Sequence, residues 1–284
     1  MTEYHPCDIP VVILAGGQGT RLREVTERVP KPLVEIGEKP ILWHIMKLYS
    51  HYGFRRFILC LGYKSWLIKQ FFLNYREQVC DFTLELGGEH APVFHDHNGD
   101  EDWSITFVET GLNTMTGGRL WRVQDYIDSP TFMFTYGDGL GSVDIPALLD
   151  FHRQEGRVAT VTGVRPTSRY GEMRVDGRRA VEFTEKPSSQ AHVSGGFFVL
   201  EREFFNYLDD DPSLYFERRP LITCASEGEL AVYEHEGFWM GMDTPRDFTD
   251  LNEMWASGRA PWKLWEWDVP RPGAIAANGG AAAR

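Results

Sequence analysis

No stretch of the sequence reaches the roughly 18 consecutive apolar residues that a membrane-crossing helix needs. The amino-terminal end also lacks a charged segment followed by an apolar core, the pattern of a secretion signal. There is no surplus of positive charge for nucleic acid or an anionic membrane surface: 29 Lys and Arg face 41 Asp and Glu, a formal charge of −12. Cysteine is scarce, and Cys7, Cys60, Cys80 and Cys224 form no C-x-x-C pair. Neither a disulfide framework nor a thiolate zinc site is expected, and free buried thiols suit a reducing compartment. No internal repeat is evident. Only residues 268–284, rich in Gly, Ala and Asn, read as a disordered tail. These absences leave an ordinary cytoplasmic globular protein, with no nucleic-acid or membrane partner, in which a local basic cluster must meet any phosphate ligand.

What is present begins at Val11-Val12-Ile13-Leu14, an apolar run suited to a strand buried on both faces of a parallel sheet. It stops at Ala15 and three glycines in four positions, Gly16, Gly17 and Gly19, followed by Thr20 and Arg21. Glycines there can adopt positive φ and let backbone N–H groups close around an anion. Arg21 and Lys31 add a planar fork and a point charge at the same place. The spacing is not that of a dinucleotide fingerprint, because counting G-x-G-x-x-G from Gly17 puts Leu22 at the third glycine position. The G-x-x-x-x-G-K-[ST] pattern is absent too. A tight turn with incidental glycines would account for one or two of them, but not for Gly-Gly-x-Gly-Thr-Arg together with Lys31-Pro32.

Residues 40–52 carry a 3.6-residue apolar period behind a proline and predict a helix; 57–61 predict a strand and 65–74 a second helix. Alternation of this kind gives a parallel α/β sheet. Residues 87–102 hold His90, His95 and His97 among acids, but no helical H-x-x-x-H spacing, and read as a solvated loop rather than a metal cluster. A strand over 104–109 and a helix over 116–127 follow. The apolar run 131–136 leads straight into Gly137-Asp138-Gly139. A carboxylate at the carboxyl end of a parallel strand faces the crevice where ligands bind in open α/β sheets, which makes Asp138 a candidate magnesium ligand; the plain alternative is an Asp-Gly turn. Residues 144–155 predict a helix and 158–164 a strand. Asp176-Gly177 lies between two alternating segments and predicts a hairpin. The strand over 194–200 opens on Ser194-Gly195-Gly196, where something approaches the backbone closely. Asp243, a lone acid after an apolar segment, is the second candidate magnesium ligand, with Pro245 opening a helix to residue 255. The tryptophan-rich residues 260–267 are expected to pack on the body or on a neighbouring subunit.

The run from Leu14 to Leu22, followed about ten residues on by Lys31-Pro32, resembles the signature of the sugar-1-phosphate nucleotidylyltransferases. Within that family the chain looks most like the cytidylyltransferases that act on glucose 1-phosphate. The segments that carry the closer likeness begin at Lys31, Lys39, Met115, Phe134 and Met242, and the resemblance extends from Val11 to Trp265. It implies an α/β, Rossmann-like three-layer fold with a mixed, mostly parallel sheet and a β-hairpin insertion. One domain over 1–267 would divide into a nucleotide-binding half (about 1–110) and a sugar-phosphate-binding half (about 111–267).

The implied reaction joins CTP and glucose 1-phosphate into CDP-glucose and releases pyrophosphate, with Mg2+ as cofactor. The sugar phosphate is already ionised and needs no general base, so the protein's task is positioning and charge neutralisation. Leu14, Ala15, Gly16, Gly17, Gly19, Thr20, Arg21, Lys31, Gly118, Arg119 and Asp138 would bind the nucleotide. Arg21 and the loop amides would take the β- and γ-phosphates and Lys31 the α-phosphate. Tyr136, Gly171, Glu185, Lys186, Ser194, Gly195 and Trp239 would hold the sugar phosphate, with Glu185 on hydroxyls and Lys186 on phosphate. Arg21, Lys31, Asp138, Lys186 and Asp243 form the catalytic set. The resemblance also implies a homo-oligomer.

Two departures stand out. Ser194 and Met240 replace the Asn and Gln of the resembled pattern, which removes hydrogen-bonding capacity and suggests a roomier pocket able to accept a modified or larger sugar 1-phosphate. Other readings are a different nucleoside triphosphate (dTTP, UTP or GTP) or a non-catalytic nucleotide sensor. Retention of the whole catalytic set argues against the sensor.

Overall fold

Val11–Leu14 (β1) lies inside a seven-stranded sheet, buried over most of its length. The chain is described here from a computed structural model covering residues 5–19, 26–87, 91–95, 101–166, 172–184 and 191–265. The other strands are β2 (Arg56–Leu61), β3 (Ser104–Glu109), β4 (Thr131–Tyr136), β5 (Ala159–Val164), β6 (Val193–Glu201) and β7 (Leu230–His235), in the order β7-β5-β6-β4-β1-β2-β3. All adjacent pairs are parallel except those made by β6, which runs against both β5 and β4. The helices are α1 (Ile41–His51), α2 (Ser65–Leu73), α3 (Tyr75–Val79), α4 (Thr116–Trp121), α5 (Ile145–Glu155), α6 (Arg219–Ser226) and α7 (Pro245–Ala256).

The chain proceeds from β1 outward through β2 to β3, then returns to place β4 on the other side of β1. Strand order therefore reverses between β1 and β4, and a ligand crevice is expected at their carboxyl ends. Side chains alternate along the strands and feed two cores. Val11, Ile13, Met133, Phe197 and Val199 pack with α1 on one face, while Val12, Phe132, Phe134, Phe198 and Leu200 pack with Leu120 and Phe216 on the other. The result is a three-layer α/β arrangement, with apolar burial on both faces as its main source of stability.

Three differences from the sequence reading have local causes. The helix expected over 116–127 stops at Trp121 and gives way to a 3-10 turn, Gln124–Tyr126. Leu120, Val123 and Ile127 all reach the same core, so their helix-like spacing survives the change of winding. The loop expected over 87–102 contributes Val93–Phe94, which pairs with Phe82–Thr83 in a small ribbon. His95 hydrogen-bonds Thr83 Oγ1 at 2.7 Å, whereas His90 and His97 lie outside the described residues. The hairpin forms as expected, Glu172–Asp176 with Arg179–Thr184. No helix among the described residues is long and apolar enough to cross a membrane.

The tryptophan-rich segment packs on the chain's own body. Trp262 and Trp265 are buried in the first core, and with Trp43 and Trp255 their rings surround His44. His44 lies 2.9 Å from Ile36 O through Nε2, and Trp262 Nε1 donates to its Nδ1 at 3.4 Å. One nitrogen donating and the other accepting is the pattern of a neutral imidazole. Burial lowers the His44 pKa to about 4 in spite of its backbone hydrogen bonds. The unfolded chain takes up a proton near the ordinary value of 6.5, and the folded chain refuses it until about pH 4. Stability is therefore expected to fall by up to about 3 kcal/mol as pH drops from 6.5 to 4. Urea-unfolding midpoints across that range would check this: a His44→Gln variant should show a shallower slope, and an equal slope would remove His44 as the cause.

Candidate active site

The loop after β1 is fixed from behind by a buried cation. Arg119, on α4, is 4% exposed. Its Nη1 donates to Leu61 O at 2.9 Å and to Thr110 Oγ1 at 2.7 Å, and its Nη2 to Gly16 O at 3.0 Å and Leu112 O at 3.3 Å. These acceptors sit at or just beyond the carboxyl ends of β1, β2 and β3. Burial lowers the Arg119 pKa, yet a guanidinium stays charged in proteins, and here backbone carbonyls and a hydroxyl replace its water.

The three glycines have three different roles. A Cβ on Gly16 would lie 2.2 Å from Arg119 Nη1 and 2.8 Å from Gly62 N, so this glycine permits close packing. Gly17 has nothing within 4 Å of that position. Gly19 alone of the three has positive φ, at 61°. Of the three glycines able to adopt positive φ, Gly19 does so, while Gly16 uses its missing Cβ for close approach. Ala15 is buried, its N–H donating to Cys60 O at 3.0 Å. Thr20 and Arg21 lie outside the described residues, as do Gly171, Glu185 and Lys186.

Across the crevice, β4 ends at Tyr136 and turns through Gly137 to Asp138. A Cβ on Gly137 would come within 2.5 Å of Leu14 O, so the turn hugs the end of β1. Asp138 O accepts from Met242 N at 2.8 Å, and the ribbon pairing Gly139–Gly141 with Trp239–Gly241 continues that link. Asp243 follows at the start of α7, where a capping box sets the backbone. Thr244 Oγ1 accepts from Asp247 N at 3.2 Å, while Asp247 Oδ2 accepts from the N–H groups of Thr244 (2.8 Å) and Asp243 (3.0 Å).

Lys31 lies between these two acids. It opens a 3-10 turn, Lys31–Leu33, and its Nζ is 2.7 Å from Asp138 Oδ2 and 2.9 Å from Asp243 Oδ1. The lysine side chain is 11% exposed and the two carboxylates 38% and 41%. Burial opposes its charge, but the two acids outweigh that effect and raise its pKa, so the ammonium persists at neutral pH. Two carboxylates thus share one ammonium at the mouth of the crevice. Among the described residues no three His, Cys, Asp or Glu gather into a metal cage. A site offering two carboxylates and room for phosphate and water suits magnesium, which keeps waters and takes substrate phosphates among its ligands.

Two cavities meet here. The larger, about 510 Å³, is lined by Leu14, Gly16, Gly17, Gly19, Lys31, Leu112, Asn113, Thr114, Met115, Thr116, Arg119, Tyr136, Asp138 and Asp243. The smaller, about 150 Å³, is lined by Thr135, Tyr136, Asp138, Gly139, Ser194, Gly195, Gly196, Trp239, Gly241 and Asp243. Tyr136, Asp138 and Asp243 belong to both.

The structure thus gathers most of the described residues expected on the nucleotide side, and on the sugar side Tyr136, Ser194, Gly195 and Trp239. Gly118 does not line either cavity: a Cβ on it would sit 2.6 Å from Asp211 O, so its absence serves packing. Met240 is a correction of a different kind. Trp239 and Gly241 line the smaller cavity, whereas Met240 does not and lines instead a neighbouring cavity that it shares with Trp239, His192 and His235. Of Ser194 and Met240, only Ser194 lines the smaller cavity. Residues 112–116, just before and at the start of α4, line the larger cavity; the resemblance points to this stretch, but the sequence reading named only Gly118 and Arg119 from it as site residues, although 112–116 follow β3 as Asp138 follows β4.

Residues 10–257 match the nucleotidyl transferase family. The chain belongs to this family. It is 48% identical over 257 residues to the glucose-1-phosphate cytidylyltransferase of Salmonella typhi, covering 90% of this chain and 99% of that one. Among solved structures, an inositol-1-phosphate CTP transferase from T. maritima superposes with a TM-score of 0.60 at 17% identity, over 92% of this chain and 98% of that one. HddC from Yersinia pseudotuberculosis, complexed with GMP-PN, does so with a TM-score of 0.62 at 21% identity, over 87% and 99%. The two structures share the nucleotidyltransferase's fold, and nucleotidyltransferases of this family generally use a divalent metal.

The loop geometry separates two neighbouring glycines. Gly16→Ala should destabilise the nucleotidyltransferase by about 1–3 kcal/mol through overpacking against Arg119 and Gly62, whereas Gly17→Ala should shift stability by less than about 1 kcal/mol. Denaturant midpoints of the two variants decide, and equal losses would refute the assigned roles.

Proposed function

We propose that this nucleotidyltransferase moves the cytidylyl group of CTP onto glucose 1-phosphate, forming CDP-glucose and releasing pyrophosphate. The observation that carries the reading is the pair of cavities sharing Asp138 and Asp243, with Lys31 between them. A phosphate entering from the smaller cavity would meet the α-phosphate of a nucleotide in the larger one at that seam. Identity of 48% to a glucose-1-phosphate cytidylyltransferase supports the choice of substrates.

The sugar phosphate is the nucleophile and arrives ionised, so catalysis consists of holding two anionic reactants in line and offsetting their charge. The loop amides and Arg21 take the β- and γ-phosphates. Lys31 can exchange a carboxylate for an α-phosphate oxygen without leaving the site, because all lie around one ammonium. Glu185 and Lys186 hold the sugar hydroxyls and phosphate, with Ser194, Gly195 and Trp239 forming the wall beside them. Asp138 and Asp243 would hold magnesium, which supplies charge neutralisation for the phosphates. The reading includes a homo-oligomer in the cytoplasm. Met173, Val175, Val181 and Phe183 lie 50–62% exposed on the hairpin, apolar surface of the kind that subunits cover.

Pyrophosphate release measured with each nucleoside triphosphate and a panel of sugar 1-phosphates should be fastest with CTP and glucose 1-phosphate; a clear preference for another pair would overturn the substrate assignment. Asp138→Ala and Asp243→Ala should each lower kcat at least about a hundredfold, with the fold retained. Lys31→Ala should lower kcat more than it raises the KM for CTP, because charge on the α-phosphate grows in the transition state. Wild-type single-turnover rates across a magnesium titration in either Asp variant would remove that residue from the site.

A further inference from the structure

Tyr136 occupies the seam between the two cavities, held by Gly196 from the smaller cavity and by Phe134, Phe198 and Glu217 from outside both. The ring lies against Gly196, where a Cβ would be 2.6 Å from Tyr136 Cδ2, and Gly196 has a φ of 79°. Phe134 and Phe198 flank it, each with ring centroids 6.1 Å away. The hydroxyl donates to Glu217 Oε1 at 2.6 Å. The other carboxylate oxygen, Oε2, accepts from Thr116 Oγ1 at 2.7 Å, and Thr116 opens α4 on the opposite wall of the larger cavity. Glu217 lines neither cavity. Its segment is nevertheless joined to the start of α4: Phe216 N donates to Thr116 Oγ1 at 2.9 Å, Met115 N to Pro212 O at 2.8 Å, and Gly117 N to Leu214 O at 2.9 Å.

One carboxylate thus spans from the nucleotide-side wall to the residue dividing the two reactants. We infer that Glu217 is a positioning residue for phosphoryl alignment, fixing Tyr136 against Gly196 and setting its distance from Thr116 so that the two substrates meet in line. Tyr136 is a donor in this arrangement and not a base. Charge-assisted hydrogen bonds from two hydroxyls to one exposed carboxylate hold direction more than they hold the fold. A misplacement of about 1 Å at a reacting centre can reduce the rate about a hundredfold.

The inference rests on the proposed nucleotidyl transfer, and the two can fail separately. If wild-type protein releases no pyrophosphate from CTP and glucose 1-phosphate, the substrate reading fails; Glu217 is then measured with whichever triphosphate and sugar phosphate the wild type uses. Glu217→Ala is expected to lower kcat by about ten- to hundredfold, while either KM changes by less than about threefold and the melting temperature holds within a few degrees. Glu217→Gln keeps the shape and one acceptor and should recover to within about threefold of wild type. Tyr136→Phe removes the same hydrogen bond from the other side, so it tests the idea even if Glu217→Ala misfolds. Its loss should be non-additive with Glu217→Ala, the double variant being no more than about threefold worse than the worse single one. An unchanged kcat in Glu217→Ala, full additivity in the cycle, or a Gln variant as impaired as the Ala variant would overturn the inference.

Discussion

Two carboxylates pointing at one ammonium set the terms for the rest of this molecule. Asp138 and Asp243 stand 107 and 212 residues from Lys31 in sequence, yet all three meet within 2.9 Å. Without a cation the acids would repel each other, by about 4 kcal/mol for unit charges 4 Å apart at intermediate dielectric. Lys31 offsets that repulsion, and the proposed divalent ion would offset it further once phosphates arrive. The backbone around the acids is correspondingly over-determined. Asp138 is tied to Met242 through the main chain, and Asp243 is set by a helix cap rather than by a loop free to move.

Behind that triad the sheet supplies a second electrostatic arrangement of opposite character. Arg119 is a buried cation whose guanidinium donates to three carbonyls and one hydroxyl, at the edge where three parallel strands end. Carbonyls that would otherwise need water are satisfied by a single guanidinium, and the loop carrying Gly16 is drawn tight in consequence. The two charges divide the labour: one organises the backbone of the crevice, the other lines the larger cavity between two carboxylates.

Much of this was readable from the residues. The apolar run before Gly16, the acid after 131–136 and the proline before α7 all fell where the structure has them, because each rests on local chemistry: strand burial, position at a strand end, helix initiation. What was not readable depended on direction and partnership. Nothing in residues 193–201 states that β6 runs against its neighbours. The inward aim of the Arg119 guanidinium, the packing role of Gly118 and the carboxylate bridge from Glu217 all require knowing which segments meet across about a hundred residues of chain.

The reversed direction of β6 has a consequence for how this family member can vary. Ligand-facing residues on a parallel strand come at its finish, after the core-forming residues have been laid down, as with Tyr136 and Asp138. On β6 they come first: Ser194, Gly195 and Gly196 face the cavity, and only then do Phe197, Phe198, Val199 and Leu200 enter the two cores. The pairing of 197–201 with β4 fixes register from behind. Ser194, at the front of the strand, is therefore paired on the β5 side alone, and the shape of the smaller cavity can be altered at that side chain with the packed interior left as it is.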